Sequence, residues 1–385
     1  MDKYDLDTPC LIVDLDAMEN NIKDMAAIAK ENGVNLRPMI KSHKVPAIAH
    51  LQLDAGAVGI NAAKLGEAEV MAASGIKDIF ITNEIIGSSK LERLVNLAKR
   101  CKITASVDSL EVAKGLSEAA ENAGIELKVR IQVDTGNRRN GILPGEPTVK
   151  LAHQIWKLKA LIFKGIWTHE GQLALANNYD DRKKMQLKAG EDLLSTAKML
   201  KKEGIPCEEI SSGSTAGAKI AAKIDGITEI RPGAYVVYDI AQLNRRACRT
   251  KDLALSVLTT VFSKPAVDRV VSDVGSKGIF PPGDYCSYSI DEDPKWKRSD
   301  GKPACIGLVR EPGGRIREDI VLNRLGEEYG IFKLSNPEKN VKIGDRLEII
   351  PYHCCPTVNL YDELIGLRNG KVEVTWPILA RGKMS

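Results

Sequence analysis

The feature that most constrains the fold is a regular alternation of short apolar runs with helical stretches. Eight runs have the length and composition of buried strands: 34–40, 57–60, 78–82, 103–107, 127–133, 161–168, 207–211 and 227–231. Helical patterns separate them, over 46–54, 63–74, 88–100, 109–123, 147–157, 180–203 and 215–223. Eight strands alternating with helices over about 220 residues match a (β/α)8 barrel. We therefore predict an α/β fold with a TIM-type barrel; a doubly wound sheet is the alternative.

A second, mostly β domain is predicted from the remaining segments. After about Lys251 the helical periodicity fades, glycine and proline become frequent, and β-branched runs recur at 255–262, 268–273, 304–309, 345–351 and 371–376. The stretch 7–14 is also strand-like, and a helix follows it, with Asp16 and Glu19 resembling a capping box. We assign residues 15–248 to the barrel and residues 1–14 with 249–385 to the β domain.

Charge and hydropathy argue against nucleic-acid and membrane partners. The net charge of +4 comes from 55 basic and 51 acidic residues spread along the chain, without a clustered basic face. No apolar run reaches the roughly 18 residues that span a bilayer. The acidic start, Met1-Asp-Lys-Tyr-Asp, lacks the features of a signal peptide, so we expect a cytoplasmic protein. The eight cysteines contain no CxxC pair and are predicted to be reduced thiols.

Lys41 is the candidate nucleophile. It follows the first predicted barrel strand, and barrels place catalytic side chains at the C-terminal ends of their strands. A desolvated lysine amine can form a Schiff base with an aldehyde cofactor. By strand alternation, Lys128, Arg130, Gln132 and Asp134 point into the barrel. His169 ends the next strand and is either a proton carrier or ring neighbour in the cleft, or a structural histidine.

Two loops are candidate phosphate-binding segments. Ser211-Ser-Gly-Ser-Thr-Ala-Gly217 lies between a predicted strand and a helix, where backbone N–H groups and hydroxyls can surround a phosphate. Arg231-Pro-Gly-Ala234 follows the last predicted barrel strand. Many barrels bind phosphate with the loops after strands seven and eight.

These motifs together resemble a known family. The segments are Asp7-Thr-Pro, Arg37-Pro-Met-Ile-Lys-Ser-His-Lys44, Asp134-Thr-Gly-Asn-Arg-Arg-Asn-Gly141, Ser212-Gly-Ser-Thr215, Arg231-Pro-Gly233 and Asp273-Val-Gly-Ser-Lys277. In this order they resemble the alanine racemase-like, fold-type III pyridoxal phosphate enzymes. Within that family the chain is most similar to the branch of D-threonine aldolase and metal-dependent D-serine dehydratase.

The resemblance implies a cofactor and the residues that hold it. Lys41 matches the lysine that binds pyridoxal 5'-phosphate covalently, and Arg139 matches an arginine beside the cofactor ring. Arg231 matches the arginine that racemases place against the pyridine nitrogen. The phosphate would be held by Ser212, Gly213, Ser214, Thr215, Gly233 and Ala234.

Tyr352-His-Cys-Cys-Pro356 is a candidate metal site. On a β-strand, His353 and Cys355 would lie on one face and Cys354 on the other, so that a His-x-Cys pair chelates one ion. Buried cysteines beside a structural histidine are the alternative. The resemblance implies a metal here: His-x-Cys with zinc in dehydratases and His-x-Asp with a harder ion in aldolases. We expect zinc, with manganese or magnesium as alternatives.

The resemblance implies a lyase that acts on D-β-hydroxy amino acids. The expected reaction is the metal-assisted dehydration and deamination of D-serine or D-threonine to a 2-oxo acid and ammonia. Aldol cleavage of D-threonine to glycine and acetaldehyde is the main alternative. Further alternatives are an amino-acid racemase, a non-catalytic pyridoxal phosphate-binding protein and a barrel scaffold that binds a partner. The family also implies a homodimer.

Overall fold

The chain forms two compact units in the computed structural model, which describes residues 1–176, 178–281, 306–311, 314–336 and 341–385. One, the β unit, comprises Met1–Asn21, Ser42–Val45 and Ala234–Arg381. The other, the barrel unit, comprises Ile22–Lys41, Pro46–Gly233 and Gly382–Ser385. Within the described ranges, no helix is both long and apolar enough to cross a bilayer.

The strands and helices have the following bounds. The strands are β1 Cys10–Asp14, β2 Asn35–Leu36, β3 Ile60–Ala62, β4 Asp78–Ile81, β5 Lys102–Val107, β6 Leu127–Gln132, β7 Leu161–Trp167, β8 Glu209–Ser211, β9 Glu229–Ile230, β10 Leu255–Ala266, β11 Arg269–Ser272, β12 Gly307–Arg310, β13 Ile316–Leu325, β14 Gly330–Leu334, β15 Arg346–Pro351, β16 Glu363–Arg368 and β17 Lys371–Pro377. The helices are α1 Leu15–Glu31, α2 Pro46–Asp54, α3 Leu65–Ala73, α4 Ser88–Ala98, α5 Leu110–Ala123, α6 Glu146–Trp156, α7 Tyr179–Lys202, α8 Ala218–Ala221, α9 Ile240–Asn244 and α10 Cys354–Val358.

The barrel unit is built on an eight-stranded parallel sheet in the order β2-β9-β8-β7-β6-β5-β4-β3. A parallel bridge between Met39 and Asn61 joins its two outer strands. The predicted TIM-type barrel is confirmed. Strand β2 is shorter than predicted because Pro38 has no N–H to donate to a ladder. Single hydrogen bonds from the N–H groups of Arg37 and Met39 to the carbonyls of Ile230 and Pro232 extend this edge, at 3.0 Å each.

Helix α1 begins earlier than its sequence pattern predicted. The Asp14 carboxylate accepts a hydrogen bond from the Ala17 N–H at 3.0 Å and caps the helix, so the capping box assigned to Asp16 and Glu19 is wrong. Both carboxylates bind the guanidinium of Arg368 instead. Asp16 and Glu19 therefore bind a cation that is far away in the sequence, and the local sequence pattern does not reveal this contact.

The β unit contains a nine-stranded sheet in the order β11-β14-β13-β12-β15-β10-β1-β16-β17. A further pairing of β11 with β10 joins the first six strands into an antiparallel barrel. Strand β1 pairs with both β10 and β16, which confirms that the N-terminal strand belongs to this fold. Strands β13, β14 and β16 were not predicted. In β13 the segment Arg317-Glu-Asp319 interrupts the apolar pattern.

Charged side chains fill part of the interior of the parallel barrel. Glu229 on β9 is 2% exposed and binds Arg37 at 2.8 Å and Arg130 at 2.6 Å. Arg130 also pairs with Glu209 on β8, which confirms that Arg130 points into the barrel. Burial alone would raise the pKa of Glu229, but Arg130 and Arg37 outweigh it and hold this pKa well below its usual range. The network therefore links β6, β8, β9 and the segment after β2.

Replacing Glu229 by glutamine should reduce the free energy of unfolding by about 3–5 kcal/mol at pH 7, because two arginines would stay buried without their shared carboxylate. A carboxylate with a lowered folded-state pKa contributes stability above its unfolded pKa and loses it as the pH falls through the folded value. The difference between the two proteins should therefore shrink below about pH 4. Urea unfolding of both proteins at a series of pH values measures this difference in the free energy of unfolding.

The matched control is Glu69→Gln, which disrupts the half-exposed pair of Glu69 with Arg93. This change should cost less than about 1 kcal/mol, since exposed ion pairs contribute little. Equal effects of the two substitutions would contradict the importance of the buried network.

Candidate active site

Lys41 lies just beyond the C-terminal end of β2, in the short 3₁₀ turn Ile40–Ser42. Its side chain is half-buried, and it has no hydrogen-bond or ion-pair partner among the described residues. A lysine taken out of water is usually paired with an opposite charge or another polar group. The arrangement therefore leaves the amine of Lys41 available to react.

The loop Ser212–Thr215 connects β8 to α8, and it is organised around a buried carboxylate. Glu170, which is 1% exposed, accepts hydrogen bonds from the hydroxyl of Ser212 at 2.6 Å and from the N–H of Gly213 at 2.7 Å. Its second oxygen accepts the N–H of Ser214 at 2.9 Å. Three donors on one carboxylate fix the conformation of the loop.

The conformation of this loop requires glycine at position 213. Gly213 has φ +97°, and a Cβ atom there would lie 3.0 Å from the Cβ of Ala221 and 3.1 Å from the Cα of Ala218. Two residues further along the loop, the hydroxyl of Thr215 accepts the N–H of Gly233 at 3.0 Å. The two predicted phosphate-binding loops are therefore in contact through Thr215 and Gly233, while Ala234 begins the 3₁₀ turn Ala234–Val236.

Arg231 is held at the end of β9 by neutral partners. Its Nε donates to the hydroxyl of Ser211 at 2.8 Å, and its Nη2 donates to the carbonyl of Thr168. The guanidinium stacks 4.6 Å from the centre of the Trp167 ring. Burial lowers the pKa of Arg231 to about 10, so the group is still a cation at neutral pH. These contacts fix the orientation of the buried guanidinium of Arg231.

Arg139 is exposed in the loop after β6, and its neighbour Asn140 orients it. The Nε of Arg139 donates to the Oδ1 of Asn140 at 2.9 Å, and Asn140 donates to Glu84 at 2.9 Å. Burial, aided by the charge of Asp108, raises the pKa of Glu84. The loop itself is shaped by Asp134, which accepts the N–H groups of positions 136 and 138. His169 is half-buried two residues after β7, and its catalytic role stays a prediction.

The candidate metal ligands lie in a different backbone conformation from the one predicted. Strand β15 ends at Pro351, and His353 is the N-terminal cap of the short helix α10. The prediction that strand alternation places His353 and Cys355 on one face is therefore wrong. A helical turn still brings donors together: one donor atom each from His353, Cys354 and Cys355 lies within 4.8 Å of the others.

The candidate metal ligands His353 and Cys355 have defined hydrogen-bond partners within the β unit. The Nδ1 of His353 lies 2.9 Å from a carboxylate oxygen of Asp239, and the sulfur of Cys355 donates to the hydroxyl of Ser42 at 3.3 Å. Burial alone would lower the pKa of His353, but the Cys355 sulfur and the Asp239 carboxylate raise it to about 10. An imidazole and thiols grouped in this way match the donor set of borderline-soft ions such as zinc.

Family models match most of the chain. Residues 13–240 match the alanine racemase N-terminal domain, and residues 254–367 match a serine dehydratase domain. The chain belongs to the alanine racemase-like, fold-type III pyridoxal phosphate enzymes. The resemblance inferred from the sequence motifs is thus confirmed.

Curated relatives extend over nearly the full length. The chain is 32% identical to 3-hydroxy-D-aspartate aldolase of Paracoccus denitrificans (100% of this chain, 94% of the relative) and 34% identical to D-threonine aldolase of Arthrobacter sp. (98% and 93%). It is 30% identical to D-threo-3-hydroxyaspartate dehydratase of Delftia sp. (91% and 92%). Aldolases and dehydratases are both lyases, and this family member is a pyridoxal phosphate-dependent lyase.

Solved structures of such enzymes superimpose closely. D-threonine aldolase from Filomicrobium marinum has a TM-score of 0.88 at 31% identity and covers 99% of this chain and 98% of its own. A cysteine-to-alanine mutant of D-threo-3-hydroxyaspartate dehydratase in the metal-free form has a TM-score of 0.86 at 27% identity, with 98% of each chain covered.

The residues present fit the cofactor that this family uses. A lysine amine without a partner among the described residues, a loop of small residues with serine and threonine hydroxyls, and a fixed arginine suit an aldehyde, a phosphate and a pyridine ring. The imidazole of His353 and the thiols of Cys354 and Cys355 are likewise groups that bind metal ions in proteins.

Sequence reasoning missed two carboxylates that organise these groups, Glu170 and Asp239. Glu170 directly follows His169 at the end of a barrel strand, which was a usable signal for a residue at the barrel mouth. Asp239 precedes α9 and was recognisable as a helix cap, but its contact with His353 spans 114 positions. Local patterns contain no information on such contacts.

Glu170→Gln should weaken pyridoxal phosphate binding about tenfold, because an amide cannot accept at both positions and one loop N–H would face an NH₂ group. Absorbance titration of the cofactor-free protein with pyridoxal phosphate measures the change. Glu208→Gln, which alters an exposed partner of Lys164, is the control. Equal affinity of both variants would rule out the organising role of Glu170.

Proposed function

We propose that this protein is a pyridoxal phosphate- and metal-dependent dehydratase of D-β-hydroxy amino acids, forming a 2-oxo acid and ammonia. The observation that carries the proposal is the cluster of His353, Cys354 and Cys355. A racemase that moves only an α-proton has no use for such a cluster, whereas a hydroxide leaving group needs an electrophile. The metal-free cysteine mutant of the related dehydratase supports the assignment of a cysteine as a metal ligand.

In this proposal Lys41 acts first as the residue that holds the cofactor and then as the base. Its amine is released when the amino group of the substrate takes its place, and the free amine accepts the α-proton of the substrate. The absence of an acidic partner among the described residues suits both roles, since a paired ammonium would be a poor nucleophile and a poor base.

The loops at the end of the barrel strands would position the cofactor. The loop Ser212–Thr215, together with Gly233 and Ala234, would hold its phosphate. Arg231 would face the pyridine nitrogen and Arg139 would lie beside the ring. When bound, pyridoxal phosphate supplies the electron sink that weakens the bonds at the α-carbon. A cationic Arg231 would keep the pyridine nitrogen unprotonated and so moderate that sink.

His353 and Cys355 would hold the metal, and we propose zinc because a thiolate favours a borderline-soft ion over magnesium or manganese. When bound, the metal supplies Lewis-acid assistance to the departure of the β-hydroxyl. Loss of water leaves an enamine that water hydrolyses. D-Serine then gives pyruvate and ammonia, and D-threonine gives 2-oxobutyrate and ammonia.

Aldol cleavage is the second candidate. Two relatives at 32% and 34% identity over almost the whole chain are aldolases. If a base removes the proton of the β-hydroxyl and the Cα–Cβ bond breaks instead of the Cα–H bond, D-threonine gives glycine and acetaldehyde. The same residues would hold the cofactor and the metal in both reactions.

Product analysis separates the two reactions. The protein with pyridoxal phosphate and zinc should convert D-threonine to 2-oxobutyrate and ammonia, and a chelator or Cys355→Ala should lower the rate at least about a hundredfold. 3-Hydroxy-D-aspartate and D-serine should be tested in parallel. Mass spectrometry identifies the products.

Cys101→Ala, which removes a half-buried thiol elsewhere in the fold, should leave the rate unchanged. Glycine with acetaldehyde as the products would replace the dehydratase proposal by the aldolase. An unchanged rate in Cys355→Ala would contradict the role of the metal pair.

Borohydride reduction of the loaded protein tests Lys41. We expect a pyridoxyl group on the peptide that contains Lys41 and on no other, because reduction fixes the Schiff base. Lys41→Arg keeps the charge but should abolish both the label and the visible absorbance. A label on Lys44, or on another peptide, would show that the lysine was wrongly assigned.

The family also leads us to propose a homodimer in the cytoplasm. Sedimentation of the purified protein tests the first part, and a stable monomer with full activity would contradict it.

A further inference from the structure

Asp239 is a fully buried carboxylate with three donors from the chain itself. Its Oδ1 accepts the N–H of Gln242 at 2.9 Å, which caps α9. Its Oδ2 accepts the N–H of Cys354 at 3.0 Å and lies 2.9 Å from the Nδ1 of His353. One side chain thus joins the start of α9 to two consecutive residues of the metal cluster.

The two hydrogen bonds from backbone N–H groups to Asp239 determine which atom carries the proton in its third hydrogen bond, the one with His353. The N–H groups of Gln242 and Cys354 donate to both oxygens of Asp239, as they do to an ionised carboxylate, which has no proton to donate. The Nδ1 of His353 must then carry the proton in this hydrogen bond. When the imidazole is neutral, its other nitrogen, Nε2, is therefore the atom that can bind a metal ion.

The backbone around Asp239 is held firmly. Tyr238 has φ +50°, an uncommon conformation for a bulky residue, and its N–H donates to the carbonyl of Ala234 at 2.6 Å. The N–H of Ala241 donates to the carbonyl of Tyr352 at 3.0 Å. On the other side, the carbonyl of His353 accepts the hydroxyl of Thr357 at 3.0 Å. These contacts hold in place the backbone segments that carry Asp239 and His353.

We infer that Asp239 is the positioning residue of the metal site: it fixes the ring of His353 so that Nε2, and not Nδ1, binds the ion. Histidine ligands of metals generally donate their second nitrogen to such a group, which orients the ring and raises its basicity. The inference rests on the proposed function, because it takes the metal at His353 and Cys355 as given.

The first test uses the wild-type protein. The chain has five histidines, and these are labelled with ¹⁵N in protein loaded with ¹¹³Cd²⁺ in place of zinc. We expect one histidine to show cadmium coupling at Nε2 while its Nδ1 keeps a proton. Coupling through Nδ1 would overturn the inference, and this result does not depend on the folding of any variant.

The second test measures zinc affinity by competition with a chromophoric chelator. Asp239→Asn should weaken zinc binding about 10- to 100-fold, because the amide cannot accept from all three donors. Asp252→Asn is the matched control: its carboxylate also accepts a backbone N–H, from Arg249 at 2.8 Å, but does not contact His353. Circular dichroism confirms that both variants are folded.

The possible results separate this inference from the proposed function. If the wild type binds zinc, Cys355→Ala does not, and Asp239→Asn binds as tightly as the wild type, only the role of Asp239 is overturned. If the wild-type protein binds neither zinc nor cadmium, the proposed metal site itself is wrong and the inference falls with it.

Discussion

The interaction on which the barrel unit most depends is the one between the Glu229 carboxylate and two buried arginines. Arg37 and Arg130 come from segments far apart in sequence, and neither can be removed from water without a counter-charge. The hydroxyl of Ser211 donates to the same carboxylate at 2.7 Å. Strand alternation then places Arg231, two residues after Glu229, on the same face. The charge network therefore helps to set the position of the strand ends that precede the two predicted phosphate-binding loops.

Buried carboxylates have a second use in this protein, which is to orient functional groups. Glu170 organises a loop of N–H donors, and Asp239 organises a histidine and a helix start. Each accepts hydrogen bonds from three donors. Such groups determine the precision of a site without taking part in its chemistry.

Much of the fold could be predicted from the sequence, since hydrophobic periodicity reports local burial. The parallel barrel, the inward direction of Arg130 and the membership of β1 in the β unit were predicted in this way and are confirmed. The strand geometry assumed for His353 and Cys355 was wrong, although the predicted strand at 345–351 matches β15. Two consecutive cysteines carry little information on backbone conformation, and the residue after them, Pro356, is as compatible with a first helical turn as with a strand end.

The sequence by itself determined the identity of the chemical groups: a lysine after a strand, small residues between strand and helix, and a histidine beside two cysteines. Only the tertiary structure decided how these groups are held. The carboxylates that fix the Ser212–Thr215 loop and the ring of His353 lie tens to more than a hundred positions away from their partners. Periodicity and capping patterns extend over a few residues, whereas burial and hydrogen bonding depend on neighbours in space. For that reason the ligand types were predictable, and their orientation was not.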